Sequence, residues 1–287
     1  MLDLRTALAA CVCWIGLAAT TSADNFMNLV LTRSDDYRYP ADQFSASLEV
    51  NLPDVPGVSA VSISVAGGGS FSLEGDESET WHVHGRYADL AAMKAELDGQ
   101  WTISIVGSQP STSTFTLQAD LLQDANFFAT ASGLNPPHNS LGVPSGTSLS
   151  WTPPAGAASA LGVFVNIDSD NNYQDDNSVL GTLDASATSW DPPQHLSNGE
   201  NQFTVGYYVI DSSFITALSV TSGSMLWGDS PYAPSGYPAN TPLLPLGSET
   251  TIAFDVVPEP STFVLLSCGA VGLALWEFGS RRRRRSA

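Results

Sequence analysis

The chain has 287 residues and is acidic, with ten Lys and Arg against 29 Asp and Glu and a formal net charge of −19 at pH 7. Only four basic residues lie between the apolar N-terminal segment and the C-terminal tail, and 27 acidic residues give that part a net charge of about −23. Such a surface repels phosphate backbones and anionic lipid headgroups. We therefore expect no nucleic-acid partner, whereas divalent cations and neutral ligands remain candidates.

The first 23 residues, MLDLRTALAACVCWIGLAATTSA, are typical of a secretory signal peptide. Arg5 precedes an apolar stretch, and the small residues Thr21 and Ala23 fit cleavage after Ala23. We expect export through the Sec machinery and removal of residues 1–23 by signal peptidase. The alternative is lipidation at Cys11, because the four residues ending there satisfy a lipoprotein signal-peptidase box.

The three cysteines, Cys11, Cys13 and Cys268, all lie in the two apolar terminal segments. The segment between them is exported without a cysteine of its own, so no disulfide stabilises it. Its roughly 235 residues are enough for one large or two small hydrophobic cores.

Residues 24–132 are predicted to form a β-sandwich, because apolar and polar residues alternate in runs separated by Gly, Pro and Asp. The runs are FSASLEVNL, VSAVSISVAG, QWTISIVG and STFTLQADL. One exception is a short helix, predicted because Leu90, Met93 and Leu97 recur at helical spacing and Gly99 fits the glycine that often follows a helix.

Residues 133–145, rich in Gly, Pro and Asn, are predicted to be a linker, and residues 146–256 a second β-sandwich. The strand signals of the second half are SLSWTPPAG, ALGVFVNID, ATSWDPP, NQFTVGYYVID and ETTIAFDVV. Ser150 to Pro154 and Gln202 to Ile210 resemble the Trp-containing and Tyr-containing strands of fibronectin type III domains, which implies the same sandwich fold. The predicted class is all-β, with two β-sandwich domains and one short helix.

An acidic segment, DSDNNYQDDN, follows the strand GVFVNI and predicts a calcium site. Oxygen ligands at alternate positions suit a cation that takes six to eight of them. The predicted ligands are Asp168, Asp170, Asn172, Asp175 and Asp176. It is not an EF-hand, because Tyr173 and Val179 stand where Gly and Glu are required. The alternative is a solvated hairpin loop whose Asp and Asn residues form turns.

Other candidate chemistry is sparse. His82 and His84 share one face of a predicted strand and could hold a transition metal. The alternative is that they are partly exposed strand histidines without a metal.

Sequence motifs of nucleophilic catalysis are absent. The chain has no Gly-x-Ser-x-Gly motif, and its single lysine, Lys94, lacks the neighbours of a Ser-x-x-Lys motif. Carboxylate pairs for glycoside hydrolysis depend on spatial proximity, so a secreted hydrolase stays an alternative.

The C-terminal segment, residues 257–287, ends in an apolar run followed by Arg281, Arg282, Arg283, Arg284 and Arg285. We predict a transmembrane helix over residues 261–278, whose uncharged centre is about 24 Å long as a helix. The arginines act as a stop signal and stay in the cytoplasm according to the positive-inside rule. This topology agrees with the signal peptide, which places the rest of the chain outside.

Val257-Pro258-Glu259-Pro260-Ser261-Thr262, the apolar segment and the arginines resemble a PEP-CTERM protein-sorting domain. The resemblance implies that Pro258, Glu259 and Pro260 are recognised by a membrane-embedded exosortase, which cuts near the motif and releases the protein or transfers it to an envelope acceptor. The motif favours this independently, because two prolines separated by one residue enforce an extended segment.

The predicted function is that of an exported, non-catalytic envelope or extracellular-matrix protein acting in binding or structure, in the biofilm or exopolysaccharide context that the resemblance implies. Expected partners are the exosortase, signal peptidase, the Sec machinery, and an exopolysaccharide or other envelope glycan. The protein would be anchored transiently in the inner membrane and then reach the cell surface or the medium. The alternatives are a secreted glycan-active hydrolase and a permanently membrane-anchored surface protein.

Overall fold

The computed structural model describes residues 25–53, 55–75, 80–169, 179–193 and 196–257. This part of the chain is mostly β-sheet, with one α-helix. The strands are β1 Phe26–Asp36, β2 Phe44–Asn51, β3 Val58–Val65, β4 Ser70–Ser72, β5 Glu74–Gly75, β6 Thr80–Tyr87, β7 Gly99–Gly107, β8 Ser111–Leu117, β9 Ser132–Asn135, β10 Ser140–Pro144, β11 Leu149–Thr152, β12 Val163–Ser169, β13 Val179–Leu183, β14 Ser189–Trp190, β15 Gly199–Ile210, β16 Ser219–Ser222 and β17 Pro245–Val257. The helix α1 is Leu90–Leu97, and 3-10 turns occupy Ala119–Leu121, Asp124–Asn126 and Ala157–Ser159.

The strands form three sheets. A nine-stranded sheet has the order β13-β12-β15-β17-β1-β2-β6-β5, and its ninth strand, β10, also pairs with β17. A five-stranded sheet has the order β16-β8-β7-β3-β4, and a three-stranded sheet the order β14-β11-β9. Most pairs are antiparallel, but β1 and β10 both lie parallel to β17. The large sheet therefore contains strands from both halves of the chain.

The first hydrophobic core lies between the large sheet and the five-stranded sheet. Alternate side chains of β1 and β2 pack against those of β3, β7 and β8, and the helix contributes Met93 and Leu97. The second half of the chain adds to this core, from the segments on either side of β16 and from β17 itself. These added residues are Ile215, Met225, Trp227, Leu244 and Leu246.

The second hydrophobic core lies between the other half of the large sheet and the three-stranded sheet. Strands β12, β15 and β17 supply apolar residues from the large sheet, and Trp151 and Trp190 come from the small one. The indole Nε1 of Trp151 donates a hydrogen bond of 2.7 Å to the hydroxyl of Tyr207, which is fully buried. The Trp- and Tyr-containing segments that resemble fibronectin type III strands thus meet inside one core.

Strand β17 serves both cores with the same face. Leu246 is buried in the first core and Phe254 in the second. Between them, the hydroxyls of Ser248 and Thr250 donate hydrogen bonds of 2.9 Å to the carbonyls of Ala129 and Ala131, in the connection between the halves. The two cores therefore share a strand, and the connection that separates them is hydrogen-bonded to that strand.

The predicted short helix is confirmed. Asp89 caps its N-terminus, because its side chain accepts a hydrogen bond of 2.7 Å from the Ala92 amide. Trp101 of β7 donates its Nε1 hydrogen to the Leu97 carbonyl at 2.8 Å, which holds the helix against the five-stranded sheet.

The segment 133–145, predicted to be a linker, includes β9 residues and the whole of β10. Of its apolar residues, Leu134 and Val143 are buried in the second core, and Leu141 is exposed. Strand β11 supplies hydrogen-bond partners for β9, and β17 for β10, so tertiary pairing makes strands of a sequence with weak strand signals.

Candidate functional site

The predicted calcium ligands follow β12. Asp168 lies in this strand, paired in register with Gln202 of β15. It already interacts with other groups of the protein. The other four predicted ligands, Asp170, Asn172, Asp175 and Asp176, lie outside the described residues. Because β12 and β13 are antiparallel neighbours, the acidic segment joins the two strands of a hairpin at one edge of the large sheet. The calcium site stays a prediction.

His82 and His84 lie on the same face of β6, as strand alternation requires. In register they face Glu49 and Ser47 of β2. This is the outer face of the large sheet, because the intervening Val83 packs against the first core. Among the described residues, no group of three or more His, Cys, Asp or Glu side chains is arranged to hold a metal ion. Within those residues the pair has no third ligand of the kind a zinc site needs, and the transition-metal site stays a prediction.

His84 is held by Ser47. Its Nδ1 and the Ser47 hydroxyl are 2.7 Å apart, and its Nε2 is buried without a hydrogen-bond partner. Burial lowers the pKa of His84 to about 3, helped by the positive charge of Arg86 and opposed by Asp36. The imidazole is thus neutral at physiological pH, and its inaccessible Nε2 suits a structural role.

A cluster of charged and aromatic residues, which the sequence analysis missed, lies where β1 ends. Arg38 donates from Nε and Nη2 to the carboxylate of Asp36, at 2.9 and 2.6 Å, and from Nη1 to Gln202 at 2.8 Å. The Arg86 guanidinium lies 3.6 Å from the centre of the Tyr39 ring and 3.7 Å from Asp36. We call Asp36, Arg38, Tyr39 and Arg86 the arginine cluster.

The arginine cluster compensates a buried charge. Asp36 is 5% exposed, and an unpaired carboxylate at that depth would be strongly destabilising. Two of the four basic residues between the apolar termini are used on this one carboxylate. The motif Asp-Tyr-Arg-Tyr directly after an apolar strand was the available signal, but its partner Arg86 lies about fifty residues away and is found only by folding.

The proline-rich loop before β17 uses its tyrosines internally. The Tyr237 hydroxyl donates to the Pro242 carbonyl at 2.8 Å and accepts from the Leu244 amide at 3.1 Å. Burial raises the pKa of Tyr237 to about 12. Tyr232 packs edge-on against Phe26, with ring centres 6.1 Å apart. These contacts fold the loop over the start of β1.

A shallow groove of about 510 Å³ lies beside the start of α1. It is bordered by Phe44, Asp89, Leu90, Lys94 and Asp124. The Lys94 ammonium donates to the Leu122 carbonyl at 2.8 Å, and Asp124 forms an ion pair with Arg33. The two basic side chains nearest the groove, Lys94 and Arg33, are therefore both bonded to other groups of the protein.

The predicted sorting motif begins directly after the described fold. Val257, the last residue of β17, is 43% exposed and precedes Pro258. Pro258, Glu259, Pro260, the predicted span and the five arginines lie outside the described residues. Within the described part, no helix is both long and apolar enough to cross a bilayer.

No protein-family model matches the chain, and no curated protein matches it. Among solved structures, it is similar to a two-domain fibronectin type III segment of chicken tenascin, at 14% identity and a TM-score of 0.21, covering 71% of this chain and 100% of that one. A 1.5-MDa bacterial ice-binding adhesin matches at 15% identity and a TM-score of 0.24, covering 83% and 67%. Domains FN1–FN3 of chicken CNTN1 match at 8% identity and a TM-score of 0.22, covering 71% and 68%.

Proposed function

We propose that the protein is an exported, non-catalytic binding or structural protein of the cell envelope or extracellular matrix, sorted and released through its C-terminal Pro-Glu-Pro motif. An exosortase is the proposed processing enzyme, and an exopolysaccharide or other envelope glycan the proposed partner.

The observation that carries the proposal is the position of the motif relative to the fold. Strand β17 pairs with β15 along twelve residues and supplies both cores, and it ends at Val257. Cleavage at Pro258 to Pro260 would remove no residue of either core. The processed product would keep its folded part and lose the apolar segment and the five arginines.

The charge distribution also supports membrane arrest followed by cleavage and release. Five consecutive arginines are costly to move across a membrane, so they arrest the chain with its acidic part outside. After cleavage they have no further role, and the released protein is strongly acidic. An acidic product is soluble and is repelled by anionic membrane surfaces.

The proposal is tested by mass spectrometry of the protein recovered from its native host. The unmodified protein should lack Arg281 to Arg285, and the triple variant Pro258→Ala, Glu259→Ala, Pro260→Ala should keep them. A matched control is Pro153→Ala, Pro154→Ala, which removes two prolines after β11 and should be processed normally.

Retention of the arginines to the same extent in the unmodified protein and the triple variant would show a permanent membrane anchor instead. The hydrolase alternative is tested separately, by incubating the protein with polysaccharides. Release of reducing ends would overturn the non-catalytic assignment.

A further inference from the structure

The outer face of the five-stranded sheet carries two complete rows of hydroxyl side chains. Strand register places one residue from each strand in each row, and all ten are Ser or Thr. The first row is Ser70, Ser64, Thr102, Thr114 and Ser219, and the second is Ser72, Ser62, Ser104, Thr112 and Ser222. We call these ten residues the hydroxyl face.

Alternation along β3, β4, β7 and β8 assigns their eight residues to the side away from the core. In β16 the register shifts between Val220 and Ser222, so Ser219 and Ser222 are placed by their pairing with Thr114 and Thr112. In β7 the intervening Trp101, Ile103 and Ile105 are buried in the first core, and in β8 the same is true of Phe115 and Leu117. None of the ten residues of the hydroxyl face is buried. The face is therefore available to a partner on the outside of the sheet.

Nine of the ten hydroxyls of this face make no hydrogen bond to another described group of the protein. In the described part of the chain, only the Ser70 hydroxyl bonds to another protein group, the Ile63 carbonyl at a long 3.4 Å. Elsewhere the same residue types are engaged: on the opposite side of β8, Ser111 donates to the Ser222 carbonyl and Ser113 accepts from Trp227. Nine hydroxyls thus remain to donate and accept with a ligand.

The absence of charge on the hydroxyl face is unusual for this chain. The chain has 29 acidic residues, and the outer face of the large sheet includes the charged residues Glu49 and Glu249 and the arginine cluster. Strand propensity accounts for threonine on an exposed strand, but serine has no such preference. The repeated choice of a neutral hydroxyl at all ten positions therefore calls for a reason beyond strand formation.

The geometry points to a surface that is repetitive. Neighbouring strands are about 4.8 Å apart, and in β4, β3, β7 and β8 the two row residues are two apart along the strand, about 6.8 Å. The hydroxyls therefore form two rows about 19 Å long, with an irregular spacing only at the β16 end. The two rows include no aromatic side chain, and a single sugar ring would find no stacking platform there. Affinity must then come from many weak hydrogen bonds made together.

We propose that the hydroxyl face binds a neutral, hydroxyl-rich polysaccharide as an extended surface, an inference that rests on the binding role in the proposed function and assigns it a site and a ligand class. Polyanionic glycans are disfavoured by the acidic remainder of the protein, and a second copy is disfavoured for the same reason. A neutral polymer meets no such repulsion, and its hydroxyls match those of the face as donors and acceptors.

The test is co-sedimentation of the full chain with insoluble neutral polysaccharides, namely cellulose, chitin and a β-1,3-glucan, and with a calcium-alginate gel as the anionic comparison. We expect binding to at least one neutral polymer and little to alginate. The double variant Ser64→Glu, Thr114→Glu should bind about tenfold less, because two charges would have to be desolvated. The matched control Thr152→Glu, Ser189→Glu places the same changes at exposed positions of the three-stranded sheet and should bind normally.

A second variant, Thr102→Val, Thr114→Val, keeps the β-branched shape and removes only hydroxyls, so a severalfold loss of binding would assign the effect to hydrogen bonding. Equal binding by the unmodified protein and both face variants would overturn the site. Failure to bind any neutral polymer, or self-association abolished by the glutamate variant, would overturn the ligand class. None of these results affects C-terminal processing, which tests the proposed function independently.

Discussion

The environment of His84 changes its acid–base behaviour. Its imidazole is buried against Ser47, and its pKa is lowered to about 3. In the unfolded chain a histidine titrates near 6.5, so between these two values the unfolded state binds more protons than the folded state. Stability therefore rises with pH across this window, and the contribution is complete above about pH 6.5.

We expect the free energy of unfolding to fall as the pH is lowered from 6.5 to 5, by up to about 1.4 kcal/mol per pH unit from His84 alone. His84→Gln keeps a polar partner for Ser47 and removes the titration, so its stability should be flatter in this range. Urea unfolding at several pH values measures both slopes. Parallel curves for the two proteins would show that His84 is not titrating as argued.

At the scale of single elements, the close pairing of β15 and β17 depends on two glycines. The Tyr208 ring lies over Gly206 in its own strand and over Gly247, its partner across the pair. A Cβ at Gly247 would come within 2.2 Å of the Tyr208 ring and 2.5 Å of the Tyr207 carbonyl. At Gly206 the nearest atom would be the Tyr208 ring at 2.9 Å.

Gly247→Ala should therefore destabilise the protein by about 2 kcal/mol or more, because a backbone carbonyl in a paired strand has little freedom to move. Gly206→Ala is the matched comparison and should cost less, since its nearest neighbour is a ring that can tilt. Denaturant melts of the two variants measure the difference. Equal costs would mean that the strand pair relaxes around either methyl group.

For the whole molecule, the shared strand β17 determines how the chain unfolds. The first core receives five side chains from beyond residue 210, and β1 has β17 as its parallel neighbour. At about 2 kcal/mol for each buried side chain, these residues contribute on the order of 10 kcal/mol. That amount is comparable to the whole net stability of a typical domain.

We thus expect a fragment of residues 24–132 to show no cooperative thermal transition, although the sequence predicts a sandwich over this range. Residues 24–257 should unfold in a single transition, because both cores lose β17 together. Circular dichroism and calorimetry of residues 24–132 and of residues 24–257 show whether each unfolds cooperatively. A cooperative melt of the short fragment would establish that the first core is complete without the second half.

The sequence by itself determined the all-β class, the position of α1 and most of the strands, because alternation and helical spacing are local properties of the chain. It also determined the charge, the absence of cysteine from the central part, and the tail motif on which the sorting proposal rests. Only the tertiary structure decided that one strand, β17, serves both cores, that residues 133–145 include strands, and that Arg86 meets Asp36. It likewise aligned the Ser and Thr residues of five strands into two rows. The reason is common to all four: they depend on strand register and order between segments far apart in sequence, and alternation defines a face of each strand without defining its neighbour.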